Sequence, residues 1–201
     1  MAAASKAEIS TGLLIDGWTG IPTTSSGVTV SGGVYSLAGS NQIDYIRIPY
    51  LGTPDISSTD YVTEITIDFQ VNAISNGSGS PNMVLASRYK QGSTNDPASW
   101  LIFIDSATRT IRFSYNNLGV VSSGVIAYGT RHILKLTRLG GVYYMYLDDS
   151  LILTTNYPGN RYATWDWVLG SYLTQTNQVI TASFAAWANW QLFSFRAKRV
   201  T

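Results

Sequence analysis

The 201-residue chain has no cysteine, one histidine (His132) and two glutamates (Glu8 and Glu64). Without cysteine there is neither disulfide nor thiolate chemistry, and the sequence says nothing about redox compartment. A single histidine excludes a His-rich zinc site, and the missing thiols exclude the Cys-based alternative. Charge is scarce too: Asp, Glu, Lys and Arg make up 12% of residues, about half the ~25% usual in soluble domains. A net charge of +1 supplies no broad attraction to nucleic acid or anionic lipid. No segment approaches the ~18 apolar residues of a membrane span. The start, Met1-Ala2-Ala3-Ala4-Ser5-Lys6-Ala7-Glu8, lacks the apolar core of a secretory signal. Neither nucleic-acid binding nor membrane insertion is expected, and with no signal peptide the chain is expected to be made in the host cytoplasm.

What fills the gap is hydroxyl: 23 Ser and 21 Thr, with Gly and Asn. Such a surface is polar without being charged, so repulsion does little to keep copies apart. It suits a protein covered by neighbours or one working outside a cell. Hydrophobic content is ordinary at 45% and the length suffices for one well-buried core. Residues 1–12 are Ala-rich and read as an N-terminal arm; residues 13–201 read as a single domain.

From residue 13 the text is strands and turns. Ile43–Ile48, Tyr61–Val71, Trp100–Ile104, Thr110–Phe113 and Gln191–Phe195 are rich in β-formers, separated by Ser/Gly/Asn/Asp/Pro loops at 22–27, 75–81 and 91–97. Ile65, Ile67, Phe69 and Val71 alternate with Thr66, Asp68 and Gln70, a strand with one wet face. No sustained helical period appears, though Thr181–Trp190 has room for a helical turn. The clearest signal is 131–148: two alternating strands pinched by Gly140-Gly141, a two-residue loop suited to positive φ, with Asp148-Asp149-Ser150 turning into Leu151-Ile152-Leu153. The expected fold class is all-β, an antiparallel two-sheet β-sandwich.

That hairpin resembles the laminin-G-like, concanavalin A-like lectin/glucanase superfamily. His132, Arg138, Tyr146, Leu147 and Asp148 fall where the family has His, Arg, Tyr, Val and Asp; Asp149 replaces its usual Gly. Gln42–Pro49 resembles the family's rim strand, Tyr61–Asn72 its long central strand, Ser99–Asp105 with Thr110–Tyr115 its Trp-led hairpin, and Trp190–Arg196 its closing strand. The resemblance spans roughly residues 30–199 and implies a concanavalin A-like jelly roll.

The superfamily contains glucan hydrolases, which need two carboxyls about 5–9.5 Å apart. Glu64 and Asp68 share a strand face, but four residues place them about 13 Å apart. A solvated face is the expected reading, and His132 reads as a satisfied strand residue. No enzyme activity and no catalytic residue are expected. No cofactor is expected either; the calcium candidates are Asp148-Asp149, Asp166 and Asn95-Asp96, without a dense Asp-x-Asp-x-Asp run.

Sugars are recognised by an aromatic ring beside amide, carboxylate and guanidinium groups, a mixture found in Asn160, Arg161, Trp165, Asp166 and Trp167. These five are the candidate glycan- or partner-binding residues; loop packing is the competing reading, since aromatics dominate cores and interfaces alike. On the glycan reading, Trp165→Ala or Trp167→Ala abolishes binding at nearly unchanged melting temperature. Trp100 and Trp190 are assigned to the core. Arg196, Lys198 and Arg199 read as a solvated terminus. Leaderless, cysteine-free members of the family include bacteriophage structural proteins. The first expectation is therefore a virion structural protein, a capsid decoration or tail surface component, docking on other virion proteins as a homo-oligomer through its arm and edge strands. The alternative is a carbohydrate-binding lectin-like module, with a glycan hydrolase more distant.

Overall fold

A computed structural model describes residues 13–15, 22–38, 44–48, 62–75, 82–88, 100–115, 118–139, 141–156, 166–171 and 187–200. Among them are fifteen strands and no helix: β1 (Leu13–Ile15), β2 (Thr23–Thr24), β3 (Val28–Ser31), β4 (Val34–Leu37), β5 (Ile46–Ile48), β6 (Val62–Ser75), β7 (Asn82–Arg88), β8 (Trp100–Asp105), β9 (Thr110–Tyr115), β10 (Leu118–Val125), β11 (Arg131–Leu139), β12 (Val142–Leu147), β13 (Ser150–Asn156), β14 (Trp167–Leu169) and β15 (Trp187–Val200). They form two sheets. One runs β13-β12-β11-β6-β15-β4-β3, with β1 added beside β15; the other runs β10-β9-β8-β7-β14-β5-β2. All pairings are antiparallel except β1 with β15.

The expected two-sheet sandwich is observed, and period-two patterning explains it. In β6, Ile65, Ile67, Phe69 and Val71 are fully buried; in β11, Leu134 and Leu136; in β12, Tyr143 and Met145. The facing sheet answers with Trp100, Ile102 and Ile104 from β8 and Ile111 and Phe113 from β9. Trp167 lies edge-on to Trp100 and Phe195, at centroid separations of 5.4 and 5.1 Å, which knits the two sheets at the centre. Trp100 and Trp190 are core residues, as expected, each 2% exposed. The sandwich is closed along one side where β10 passes β13 and the Ser123 hydroxyl donates to the Ile152 carbonyl at 3.2 Å.

The helical turn expected within Thr181–Trp190 is corrected over its described part. Residues 187–190 begin β15, because Ala188 and Trp190 face inward while Asn189 faces out, a period of two. Residues 1–12 lie outside the described residues.

The turns follow the residues that tolerate them. Leu139 pairs with Val142 across the Gly-Gly loop, and Gly141 has φ 85°. Asp148 and Asp149 both take positive φ, 48° and 65°, so two aspartates make the turn between β12 and β13. Gly170 ends β14 at φ 86°, and a Cβ there would lie 2.5 Å from the Asp44 carbonyl oxygen. Only glycine lets β14 leave the sheet so close to β5.

Candidate functional site

Of the five residues singled out from the sequence, Asn160, Arg161 and Trp165 lie outside the described residues. Trp167 does not serve a ligand: it is 0% exposed and packed between the sheets. Its position as the first residue of β14 turns it inward, opposite Ile48. The expectation that Trp167→Ala leaves the melting temperature unchanged is therefore corrected. Asp166, one residue earlier, turns the other way. Its Oδ2 accepts from Arg47 Nε at 2.6 Å, with the two side chains 16% and 31% exposed.

Arg47 opens a transverse row on the outer face of the seven-stranded sheet. Pairing places Arg47 beside Val168, Val168 beside Ser87, Ser87 beside Leu101 and Leu101 beside Ser114. Directly paired residues share a face. The middle of the row is covered: Val168 is 0% and Ser87 1% exposed. The Ser87 hydroxyl is held between the Val168 and Ser171 carbonyls, 3.3 and 2.8 Å away. Both ends of the row are part-exposed, Leu101 and Ser114 at one and Arg47, with its Asp166 partner, at the β5 end. There a bundle of N–H donors stands against a carboxylate acceptor, the complement of a vicinal diol.

A second ion pair lies on the same face, Arg112 Nη2 to Asp105 Oδ2 at 2.8 Å. Asp105 also closes the β8–β9 loop, its Oδ1 accepting from the Ala107 and Thr108 amides at 3.0 and 3.1 Å. The Thr108 amide is the strongest influence holding this carboxyl below its ordinary range, opposed by desolvation and assisted by the Ala107 amide and the Arg112 guanidinium.

Among the described residues, His132, Glu64 and Asp68 are engaged in contacts within the sheet. His132 is 7% exposed. Its Nε2 accepts from the Ala127 amide at 3.1 Å, so the proton sits on Nδ1, which donates to Asp148 Oδ2 at 2.7 Å. Asp148 Oδ1 accepts from the Ile133 amide at 2.8 Å. Both candidate ligand oxygens of Asp148 thus serve the hairpin, and His132 is the satisfied strand residue expected of it. Glu64 pairs with Lys135 at 2.7 Å and Asp68 with Arg131 at 2.6 Å, on the outer face of the eight-stranded sheet.

Arg47 was not among the residues the sequence singled out. Its one signal is a charge at the outward position between inward-facing Ile46 and Ile48. Nothing local announces a partner 119 residues away.

No protein-family model and no curated protein matches the chain in sequence. Solved structures share its fold at low identity. One is the alginate lyase AlgAT5 of polysaccharide lyase family 7, 12% identical with a TM-score of 0.58 and 96% of each chain covered. Another is the carbohydrate-binding module CBM66 from Bacillus subtilis, 13% identical with a TM-score of 0.53 and coverage of 94% of this chain and 99% of that one. A third is a botulinum neurotoxin type C, whose cell entry depends upon interaction with two ganglioside molecules. It is 13% identical with a TM-score of 0.56, over 90% of this chain and 44% of that one. What these likenesses establish is the fold: the chain is an antiparallel two-sheet sandwich of the concanavalin A-like, jelly-roll kind.

Proposed function

We propose that this chain is a non-catalytic carbohydrate-binding protein whose ligand meets the outer face of the seven-stranded sheet at the Arg47–Asp166 end. The observation that carries the reading is that pair: donors and an acceptor fixed side by side, part-exposed, with no net charge of their own. A sugar hydroxyl both donates and accepts, and an ordered Arg–Asp pair meets both needs without demanding a charged ligand. The fold is shared with a carbohydrate-binding module and with a toxin that interacts with gangliosides, an analogy of fold that assigns no residue. The absence of catalysis is supported by the engagement of His132, Glu64 and Asp68 in structural contacts. A virion-surface role, docking as a homo-oligomer through residues 1–12 and the edge strands, takes no support from this geometry or from the similar structures, and residues 1–12 lie outside the described residues.

A glycan microarray probed with the full chain tests the reading. The wild type is expected to bind at least one glycan. Asp166→Ala is expected to weaken that binding roughly tenfold, the size of one charge-assisted hydrogen bond, with little change in melting temperature. Failure of the wild type to bind any glycan, or undiminished binding by the variant, overturns it. New reducing ends released from a bound glycan would overturn the non-catalytic half.

A further inference from the structure

The opposite face of the molecule carries an ordered array that the proposed site does not use. On the outer face of the eight-stranded sheet, pairing aligns Arg131, Gln70, Gln191, Ser36 and Thr29 in one row across β11, β6, β15, β4 and β3. Neighbouring strands are about 4.8 Å apart, so the row extends roughly 19 Å.

Two β-bulges in the β6–β15 ladder bracket the Gln70–Gln191 pair. One adds Asn72 to β6, between the pairs Asn189–Ala73 and Trp190–Val71; the other adds Phe193 to β15, between Leu192–Phe69 and Ser194–Asp68. Each strand gains one residue, so the ends stay level and the inward pattern continues, with Val71, Leu192 and Phe195 all fully buried. What the bulges change is the outer face, where a bulge re-aims a side chain.

Both re-aimed side chains join the row. Gln70 Nε2 donates to Asn72 Oδ1 at 2.8 Å, and Asn72 Nδ2 donates to Asn189 Oδ1 at 3.0 Å. Gln191 Nε2 reaches Ser36 Oγ at 3.4 Å. Phe193 lies beneath Arg131, whose guanidinium carbon is 4.1 Å from the ring centroid. Arg131 is further fixed by two bonds to Asp68, Nε to Oδ1 at 2.7 Å and Nη2 to Oδ2 at 2.6 Å, while its side chain stays 56% exposed.

The head-to-tail amides leave Gln70 Oε1 as an acceptor at one end, Asn189 Nδ2 as a donor at the other, and Arg131 Nη1 beside them. Exposed amide–amide bonds add little to stability, because water competes for them. Held in sequence they polarise one another and present fixed donors and acceptors at low entropic cost. The Arg131–Asp68 pair cancels its own charge and the rest of the array is uncharged, so an anionic ligand gains nothing here over a neutral one.

We infer that this face is a second binding site, for a neutral, hydroxyl-rich polysaccharide lying across β11, β6, β15 and β4. It shares a ligand class with the site at Arg47–Asp166 but no residue, so the two fail separately.

Native gel electrophoresis of the full chain through galactomannan, hydroxyethyl cellulose or soluble starch, with alginate as the anionic comparison, tests it. At least one neutral polymer is expected still to retard Asp166→Ala, in which the first site is weakened, and alginate is expected not to retard that variant. The double variant Asn72→Ala/Asn189→Ala is expected to bind that polymer roughly tenfold more weakly. The near-isosteric Asn189→Asp should lose binding in the same direction. No retardation by any of the three neutral polymers, or retardation of the double variant equal to wild type, overturns the inference. So does loss of all retardation in Asp166→Ala alone, which would assign binding to the first site. Sedimentation of the same variants separates the other occupant: a wild-type dimer that Asn72→Ala/Asn189→Ala dissociates, without any polysaccharide effect, would make the face a contact between copies.

Discussion

Trp167 and Asp166 stand next to each other and do opposite things, and the reason is the pleat of a three-residue strand. Trp167 fills the centre between the sheets, against Trp100 and Phe195. Trp167→Ala is expected to cost about 3–5 kcal/mol, read as a lower urea midpoint; an unchanged midpoint would mean β14 is not seated as described. Asp105 bears on acid stability. Its pKa is lowered in the fold, chiefly by the Thr108 amide. Its contribution is therefore present above the unfolded value near 3.8 and lost as pH falls through the lower folded value. Asp105→Asn should be less stable than wild type at neutral pH, with the gap closing below about pH 4. A gap that holds constant through the acid range would remove the carboxylate from the explanation. Trp100 and Trp190 were legible from the sequence because each begins or interrupts an alternating run. Trp167 was not, because it follows Tyr162, Thr164 and Asp166 in a stretch with the composition of a loop.

Among the elements, the β11–β12–β13 unit was the most legible, since alternation and two short turns pointed to one structure. Its stability rests on a clasp that the spacing of His132 and Asp148 only hinted at. Asp148 accepts from His132 Nδ1 with one oxygen and from the Ile133 amide with the other. Asp148→Asn is nearly isosteric and tolerates the same φ, yet its amide cannot accept at both places. Either its NH2 faces the Ile133 N–H, or it faces Nδ1 and forces the imidazole proton onto Nε2, against the Ala127 N–H. A loss of about 1–3 kcal/mol is expected from one unmet donor, measured by urea unfolding; wild-type stability in the variant would show that the clasp is not needed. β7 and β14 were the least legible strands. Met83–Ser87 and Trp167–Leu169 are buried on both faces, which erases the alternation by which half-buried strands are recognised.

At the scale of the molecule, the all-β class and the two-sheet architecture followed from the number of short alternating runs and their turns, but the sites did not. Arg47 and Asp166 meet across 119 residues, and the amides of β6 and β15 meet across 117. Pairing register decides both encounters, and a bulge shifts register without leaving a mark in composition. Low charge acquires a structural meaning here. On the eight-stranded sheet's outer face Asp68 and Glu64 are held in close pairs with Arg131 and Lys135, and amides and hydroxyls hold the rest of the Gln70–Gln191 row.

The two bulges also bear on how such a face comes and goes over evolutionary time. Asn72 and Phe193 stand outside the ladder, so a chain without them would pair β6 and β15 regularly over the same buried residues. The sandwich and its outer furnishing are then separately heritable: relatives with an identical core are free to differ by two single-codon insertions, one lineage keeping a bare wall and another a fitted one.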